Sequence, residues 1–382
     1  MEMESSGTLF LFGSNVRVNS PAAKMSPRAL IVRLGAMGDV LHALPAVAML
    51  RRALPEARIG WVIERRWREL LCAPEVELTG SRGAGRPLVD EVHLADTRGW
   101  RKHILGARTR REFLALMRDM RAQEYDAALD LQGAIKSAVM AKLSGATTTL
   151  GFRNPRESIA RWLYSSVADG RAVHVIEQNV EMVQSWLEEI GLSRATATLQ
   201  PGTALLPRDK GSEARLEETL KGMGIPHSAM AILNPGAGWG AKQWAPVRYG
   251  ELATALASRG LRSVINYGPG EESLAREAVA ASGGRAVALS SSLSELVALA
   301  RRAKLFVGGD TGPMHLAALM GVKTVALFGP TDPARNGPYW AGTRVLRDPA
   351  SVTSYSHKRA VDPGLEKLTV ERVLVEIDAL LG

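Results

Sequence analysis

Cysteine is almost absent. The single residue, Cys72, leaves no partner for an internal disulfide, which fits a reducing compartment. Beside only seven histidines, the Cys/His inventory is too thin for a zinc site. No apolar run approaches the roughly 20 residues of a membrane span. The dinucleotide fingerprint GxGxxG, the P-loop GxxxxGK[ST] and the nucleophile elbow GxSxG are all missing. No Asp-x-Asp stands at a strand end to hold a metal–diphosphate, and no recognised nucleic-acid module accompanies the basic residues. There is no tandem repeat and no long low-complexity segment. Disulfide scaffolds, collagen-like chains and transmembrane bundles are thereby excluded.

What is present is a chain of 382 residues, 46% hydrophobic and 23% charged, the balance of a globular protein with length for two domains. The net charge of +9 admits anionic partners. One cluster is locally dense: Arg98, Arg101, Lys102, Arg108, Arg110, Arg111, Arg118 and Arg121 face only Glu112 and Asp119 over the same stretch. Such a run is a solvated helix face, an acceptor for an acidic ligand or a seat for an anionic membrane. Residues 1–27 fit the rest poorly. Their acidic start, with Glu2 and Glu4, does not suit a signal peptide; the expectation is that Met25, just before the first strand-like run, is the natural start and that 1–27 are a disordered extension or a misassigned start.

From Ala29 onward, short apolar runs alternate with helical periods. Strands are expected at 29–34, 59–63, 127–131, 231–234, 263–267, 286–289, 305–307 and 324–328, each bounded by Gly, Pro or Asn as buried parallel strands are. Phe113, Leu116, Met117 and Met120 place one buried face on a helix over 109–123. Ser292 and Glu295 have capping-box spacing. Pro246 suits a first turn, with Gly260 as the stop. Val370, Val373, Leu374 and Ile377 give the last helix an apolar face. The alternation predicts a doubly wound α/β architecture. It breaks between about 193 and 210, so the expected organisation is a domain over 28–192, a linker over 193–210, a second domain over 211–350 and a C-terminal segment over 351–382.

Open α/β sheets bind ligands at the carboxyl ends of their strands, so the strand-end loops are where chemistry is expected. The first, Arg33-Leu34-Gly35-Ala36-Met37-Gly38-Asp39, opens a helix; there Asp39 is either an N-terminal cap or a general base. The second runs from Asn234 to Trp244, with three spaced glycines and Lys242, and suits either an anion or a plain turn. The third, Gly308-Gly309-Asp310-Thr311-Gly312-Pro313-Met314-His315, presents a helix N-terminus to a phosphate. Taken alone, Asp310 is equally a cap and His315 a core histidine. In the fourth, 267–272, Glu271 and Glu272 suit ribose hydroxyls or a solvated first turn. Three glycine-containing strand-to-helix turns together favour phosphate handling.

These motifs resemble the ADP-heptose:lipopolysaccharide heptosyltransferases, and the type I members most closely. The resemblance runs from about Ala29 to near the C-terminus. Its carriers are Met37-Gly38-Asp39-Val40-Leu41-His42-x-Leu44-Pro45, Asp310-Thr311-Gly312-x-x-His315 and Gly329-Pro330-Thr331-Asp332-Pro333. The middle stretch adds Trp100-Arg101-Lys102 and Gln132-Gly133-x-x-Lys136-Ser137-Ala138.

The resemblance implies a GT-B fold: two Rossmann-like domains facing across a cleft, the first taking the acceptor and the second ADP-heptose, with the last helix returning toward the first. It implies Asp39 as general base, Lys242, Thr311, Gly312 and His315 on the diphosphate, and Asp310 shaping that loop or touching the sugar. It also implies a glutamate of the Glu271/Glu272 pair on the ribose, and Arg98, Arg101, Lys102 and Lys136 near the acceptor, Kdo-bearing lipid A. The implied reaction is inverting, with no metal and no cofactor. The implied location is cytoplasmic and peripheral, on the anionic inner face of a Gram-negative inner membrane, with no nucleic-acid partner. Where type I members often carry hydroxyl side chains, this chain has Gly35, Ala36, Gly236 and Ala237, so backbone N–H groups would meet the phosphates. A type II or related sugar-nucleotide transferase, and a non-catalytic nucleotide-binding protein on the same fold, are the competing expectations.

Overall fold

In the computed structural model, residues 26–382 are described, except 194–198, 200, 227, 228 and 355–359. The expectation for Met25 and the residues before it lies outside the described residues, as does part of the expected linker.

Two six-stranded sheets form. The first holds β1 (Arg28–Val32), β2 (Arg58–Glu64), β3 (Glu91–Ala95), β4 (Ala127–Asp130), β5 (Thr148–Phe152) and β6 (Ser166–Ala168). The second holds β7 (Met230–Asn234), β8 (Arg262–Tyr267), β9 (Ala286–Ser290), β10 (Leu305–Gly309), β11 (Lys323–Phe328) and β12 (Thr343–Arg347). Their orders are β3-β2-β1-β4-β5-β6 and β12-β11-β10-β7-β8-β9. Read from its own first strand, each sheet has the doubly wound Rossmann order, and every neighbouring pair is parallel. The GT-B expectation is met. Each sheet therefore has a switch point, between β1 and β4 in the first and between β7 and β10 in the second. The loops after β1, β7 and β10 open there.

The strands at the switch points are buried on both faces. Ala29 to Val32 and Met230 to Leu233 are fully inaccessible, which is why they read as unbroken apolar runs. The helix Met37–Ala53 is apolar nearly all round. A helix of that kind needs cover on every side. It packs on the helix Val175–Glu189 of its own domain and on the helix Gly312–Leu319 of the other. The two domains come into close contact where the helices Met37–Ala53 and Gly312–Leu319 begin. A Cβ on Gly38 would lie 2.7 Å from Cδ2 of His315, and one on Gly312 would lie 2.5 Å from Sδ of Met37. Only glycine admits this approach.

Two expectations change. Strands β3, β5, β6 and β12 are additional to those expected. The last helix, Val370–Leu381, does not return to the first domain. Its buried Val370, Val373, Ile377 and Leu380 complete the second core with Leu252, Val325 and Leu346. Arg259–Asp378 at 2.8 Å and Arg344–Glu376 at 3.5 Å fix its outer face on the second domain as well. The return was implied by the resemblance alone; the apolar stripe tells only that the helix is covered. Among the described residues, no helix is long and apolar enough to cross a membrane.

Candidate active site

A cleft of about 780 Å³ lies between the domains and is lined by loops from both switch points. From the first domain comes Asp39, in the opening turn of the helix Met37–Ala53. One carboxylate oxygen accepts the Ala36 N–H at 3.0 Å and the other pairs with the Arg33 guanidinium at 2.9 Å. Arg33 is itself anchored by donating to the Leu131 carbonyl beyond β4. Asp39 caps a backbone N–H, as one of its two readings has it, and its side chain stays 38% exposed to the cleft. A carboxylate so oriented can take a proton from a hydroxyl placed in the cleft.

From the second domain come Lys242, Asp310, Thr311, Gly312 and His315. Lys242 Nζ lies 2.5 Å from Asp310 Oδ2 and 4.4 Å from the Trp239 ring centre. Asp310 Oδ1 meets His315 Nε2 at 3.1 Å, and His315 Nδ1 meets His42 Nε2 at 3.1 Å. A carboxylate only accepts, so His315 carries its proton on Nε2. Its Nδ1 then accepts from His42 Nε2–H. Lys242, Asp310, His315 and His42 form one chain that crosses between the domains. Burial alone would raise Asp310, but the hydrogen bonds from His315 and Lys242, with the charge of Lys242, outweigh it and hold the carboxyl well below the usual range.

These contacts refine the expected diphosphate set. Both ring nitrogens of His315, a 7% exposed side chain, are occupied by protein partners. Its part here is to hold Asp310. Thr311 is the N-cap of the helix Gly312–Leu319 and makes no side-chain cap bond, so that helix opens toward the cleft with its first N–H groups unclaimed by a side chain. Lys242, Thr311 and Gly312 stand together at the cleft wall, where the Thr311 hydroxyl donates to the Gly309 carbonyl at 3.3 Å.

The glutamates separate. Glu271 is half-buried; burial raises its carboxyl above the usual range, against the opposing bond from Gly268 N–H at 2.9 Å. A Cβ on Gly236 would fall on the Glu271 carboxylate. Glu272 faces solvent, lowered by backbone hydrogen bonds. Neither lines the cleft; Glu271 reaches it only through the 234–238 loop. Two of the four departures from hydroxyl side chains, Gly35 and Gly236, have a local cause. Glu271 takes the space beside Gly236, and a Cβ on Gly35, whose φ is +149°, would meet Trp67 Nε1 at 2.6 Å.

Arg98, Arg101, Lys102 and Lys136 do not line the cleft. All four are exposed, and Lys136 donates to Thr97 at 3.4 Å. The cations that do line it are Arg33, Arg156 and Arg335 with Lys242. Of these, Arg33 was findable: a charge closing a fully apolar strand, at the loop already singled out. Thr331 also lines the cleft; it is buried, and its hydroxyl has no protein partner. Among the described residues, no group of three or more His, Cys, Asp or Glu is placed to hold a metal ion.

His42 is held well below its ordinary value of 6.5, first by burial and then by His315, His174 and Arg33, with Asp310 opposing. It is therefore neutral when folded near neutrality. Below pH 6.5 the unfolded chain takes up a proton that the folded protein refuses, so stability falls as the pH drops through this window. His174, lowered chiefly by burial, acts in the same direction. His42→Gln keeps a donor toward His315 and removes the titration. Thermal midpoints taken between about pH 7 and pH 5 should fall less steeply for this variant than for the wild type. Equal slopes would show that burial of His42 does not set this dependence.

Comparison with known proteins gives four findings. The family model described as glycosyltransferase family 9 (heptosyltransferase) matches residues 113–361, more than half of the chain. Lipopolysaccharide heptosyltransferase 1 of Escherichia coli (strain K12) is 27% identical over 346 residues, covering 90% of this chain and 99% of that protein. Lipopolysaccharide heptosyltransferase 2 of the same strain is 28% identical over 281 residues, covering 69% and 77%. Among solved structures, E. coli heptosyltransferase WaaC with ADP-2-deoxy-2-fluoro heptose superposes with a TM-score of 0.71 at 25% identity, covering 92% of this chain and 99% of that one.

Proposed function

The chain belongs to glycosyltransferase family 9, the heptosyltransferases, and from that premise we propose that its cleft transfers heptose from ADP-heptose to the Kdo of a lipid-linked lipopolysaccharide acceptor, by single displacement and without a metal. The observation that carries this reading is the confrontation of two switch points. Asp39 stands on one wall, and Lys242 with the N-terminus of the helix Gly312–Leu319 on the other.

Asp39 takes the proton of the acceptor hydroxyl as its oxygen attacks the anomeric carbon. The bond from that carbon to the diphosphate breaks on the opposite side, which inverts the configuration. Negative charge grows on the departing ADP, where Lys242 and the Gly312 N–H are preset to receive it, and the Thr311 hydroxyl, which rests on the Gly309 carbonyl at 3.3 Å, can turn to join them. Asp310 and His315 hold Lys242 in place. Glu271, at the foot of the glycine loop, is the glutamate that suits the ribose. Arg156 and Arg335 offer charge to the acceptor side. The first-heptose reaction is favoured over the second because the type 1 relative matches over nearly the whole chain.

Full-length protein should transfer heptose from ADP-heptose to Kdo-bearing lipid A at the same rate with and without EDTA, giving a product of inverted anomeric configuration by NMR. Turnover only on an already heptosylated core would assign the second-heptose reaction. Inhibition by EDTA that added metal relieves would remove the metal-free step.

A further inference from the structure

After β11 the chain passes through Thr331 into a single helical turn, Pro333–Asn336. Asp332 opens that turn, its carboxylate accepting the Ala334 N–H at 2.9 Å. The segment belongs to the second domain, yet it is fastened to the first. His174 accepts the Ile176 N–H on Nδ1 at 3.2 Å, so its proton is on Nε2, which donates to the Gly337 carbonyl at 3.0 Å. The Tyr339 hydroxyl donates to the Glu177 carboxylate at 2.9 Å, and the Tyr339 ring lies 4.8 Å from that of His174, centre to centre. His174 and Glu177 open the helix Val175–Glu189 of the first domain. Arg335 and Asn336 are thereby held near the start of that helix, and Gln178 of its first turns lines the cleft with them.

The charges on the cleft wall do not balance. Three acids line it, and each has a cation: Asp39 has Arg33 at 2.9 Å, Asp310 has Lys242 at 2.5 Å, and Asp169 has Arg153 and Arg171, each at 2.6 Å. Two cleft arginines remain, Arg156 from the first domain and Arg335 from the second. Among the described residues neither has a carboxylate partner, and the Arg335 guanidinium donates to the neutral Asn336 side-chain oxygen at 3.0 Å. Thr331, on the same segment as Arg335, is only 2% exposed and lines the cleft with a hydroxyl that has no protein partner. A buried hydroxyl left unpaired is costly, so an arginine and a hydroxyl of one loop both lack the partner that a ligand would supply. The leaving diphosphate already has Lys242 and the opening of the helix Gly312–Leu319, which follow β7 and β10. The loop after β11 instead faces the domain that carries Asp39.

We propose that Arg335 binds a carboxylate of the acceptor sugar, with the Thr331 hydroxyl as a second donor, so that the acceptor is read by both domains and not by the first alone. A guanidinium offers a carboxylate two parallel N–H donors. The inference rests on the Kdo acceptor proposed above, a sugar that carries such an acid, and adds the residue that tells it from a neutral sugar. With its acid held by the second domain, the sugar is fixed from the wall opposite Asp39, which orients its hydroxyl toward the base.

The test uses the full chain as wild type, Arg335→Ala, Arg335→Lys and Thr331→Val. The acceptors are Kdo-bearing lipid A, the same compound with the Kdo carboxyl as its methyl ester, and the same compound without its lipid phosphates. On the first, Arg335→Ala should raise the acceptor KM about 10- to 100-fold, with ADP-heptose affinity and thermal midpoint unchanged. Arg335→Lys should recover part of this, and Thr331→Val should raise KM about two- to tenfold. On the ester, wild type should lose about what Arg335→Ala loses on the acid, and Arg335→Ala should lose nothing more. A penalty for Arg335→Ala that persists on the ester and vanishes on the phosphate-free acceptor would move Arg335 to a lipid phosphate and overturn the sugar contact. An unchanged acceptor KM, or a fall in ADP-heptose affinity instead, would overturn it too. Acceptor binding measured by calorimetry with ADP present separates the two proposals. Binding that depends on Arg335 without any transfer keeps the contact and removes the reaction, whereas transfer indifferent to Arg335 keeps the reaction and removes the contact.

Discussion

Asp39→Asn is expected to lower kcat by about 10²- to 10⁴-fold, the range that a positioned general base contributes, while leaving the affinity for ADP-heptose unchanged. The two effects separate because Asp39 belongs to the first domain and the groups offered to the diphosphate belong to the second. Asparagine retains an oxygen for the Ala36 N–H, so the first turn of the helix Met37–Ala53 keeps its bond. What it cannot do is take a proton. It also gives up the charge facing Arg33 at 2.9 Å, but Arg33 keeps its bond to the Leu131 carbonyl and so keeps its position. Loss of a negative charge in a first helical turn costs about 0.3–1 kcal/mol, so the thermal midpoint should move little. Turnover, midpoint and donor affinity by calorimetry, measured on one preparation, check all three. Turnover near the wild-type rate would end the assignment of Asp39 as base and reduce it to a cap.

What could be read from the sequence divides along a physical line. β1, β7 and β10 were legible because their buried stretches, 29–32, 230–233 and 305–309, are apolar or small throughout. The loops that follow them were legible for the same reason, since a glycine-bearing turn after such a run can only open at a strand's carboxyl end. β3 was not legible, because Glu91 and His93 interrupt it. In the fold both are buried and paired, Glu91 with the Tyr125 hydroxyl at 2.7 Å and His93 with Asp119 and Tyr125 at 2.7 Å. Those partners lie 26 to 34 residues away, beyond any local window. β12 escaped as an edge strand that exposes Arg344 and Val345.

The site divides in the same way. Asp39, Lys242 and Asp310 each announce themselves by following a strand. That Lys242 holds Asp310, and that His315 reaches His42 across 273 residues, depends on how two domains meet, which no spacing records. The cluster from Arg98 to Arg121 shows the opposite failure. Its charge density is real, but density carries no direction, and the fold turns Arg98, Arg101 and Lys102 outward, away from the cleft.

Lys242→Ala should be the other large loss, about 10²- to 10³-fold in kcat, as for removal of one preorganised group facing a developing negative charge. The expectation needs a control, because Lys242 has two duties. It faces the cleft, and it neutralises Asp310, whose other partner is His315. Removing the lysine leaves a buried carboxylate short of one cation, which by itself strains the loop over 309–312 and the chain through His315 to His42. Asp310→Asn removes that strain by removing the charge. In the double variant Lys242→Ala/Asp310→Asn the loop is therefore relieved, while the cation for the leaving diphosphate is still missing. If Lys242 acts on the diphosphate, the double variant regains thermal stability but not turnover. If its role is only to hold Asp310, turnover returns with stability. A double-mutant cycle read in both midpoint and kcat distinguishes these, and recovery of turnover would move the task of receiving the leaving group to the N-terminus of the helix Gly312–Leu319 alone.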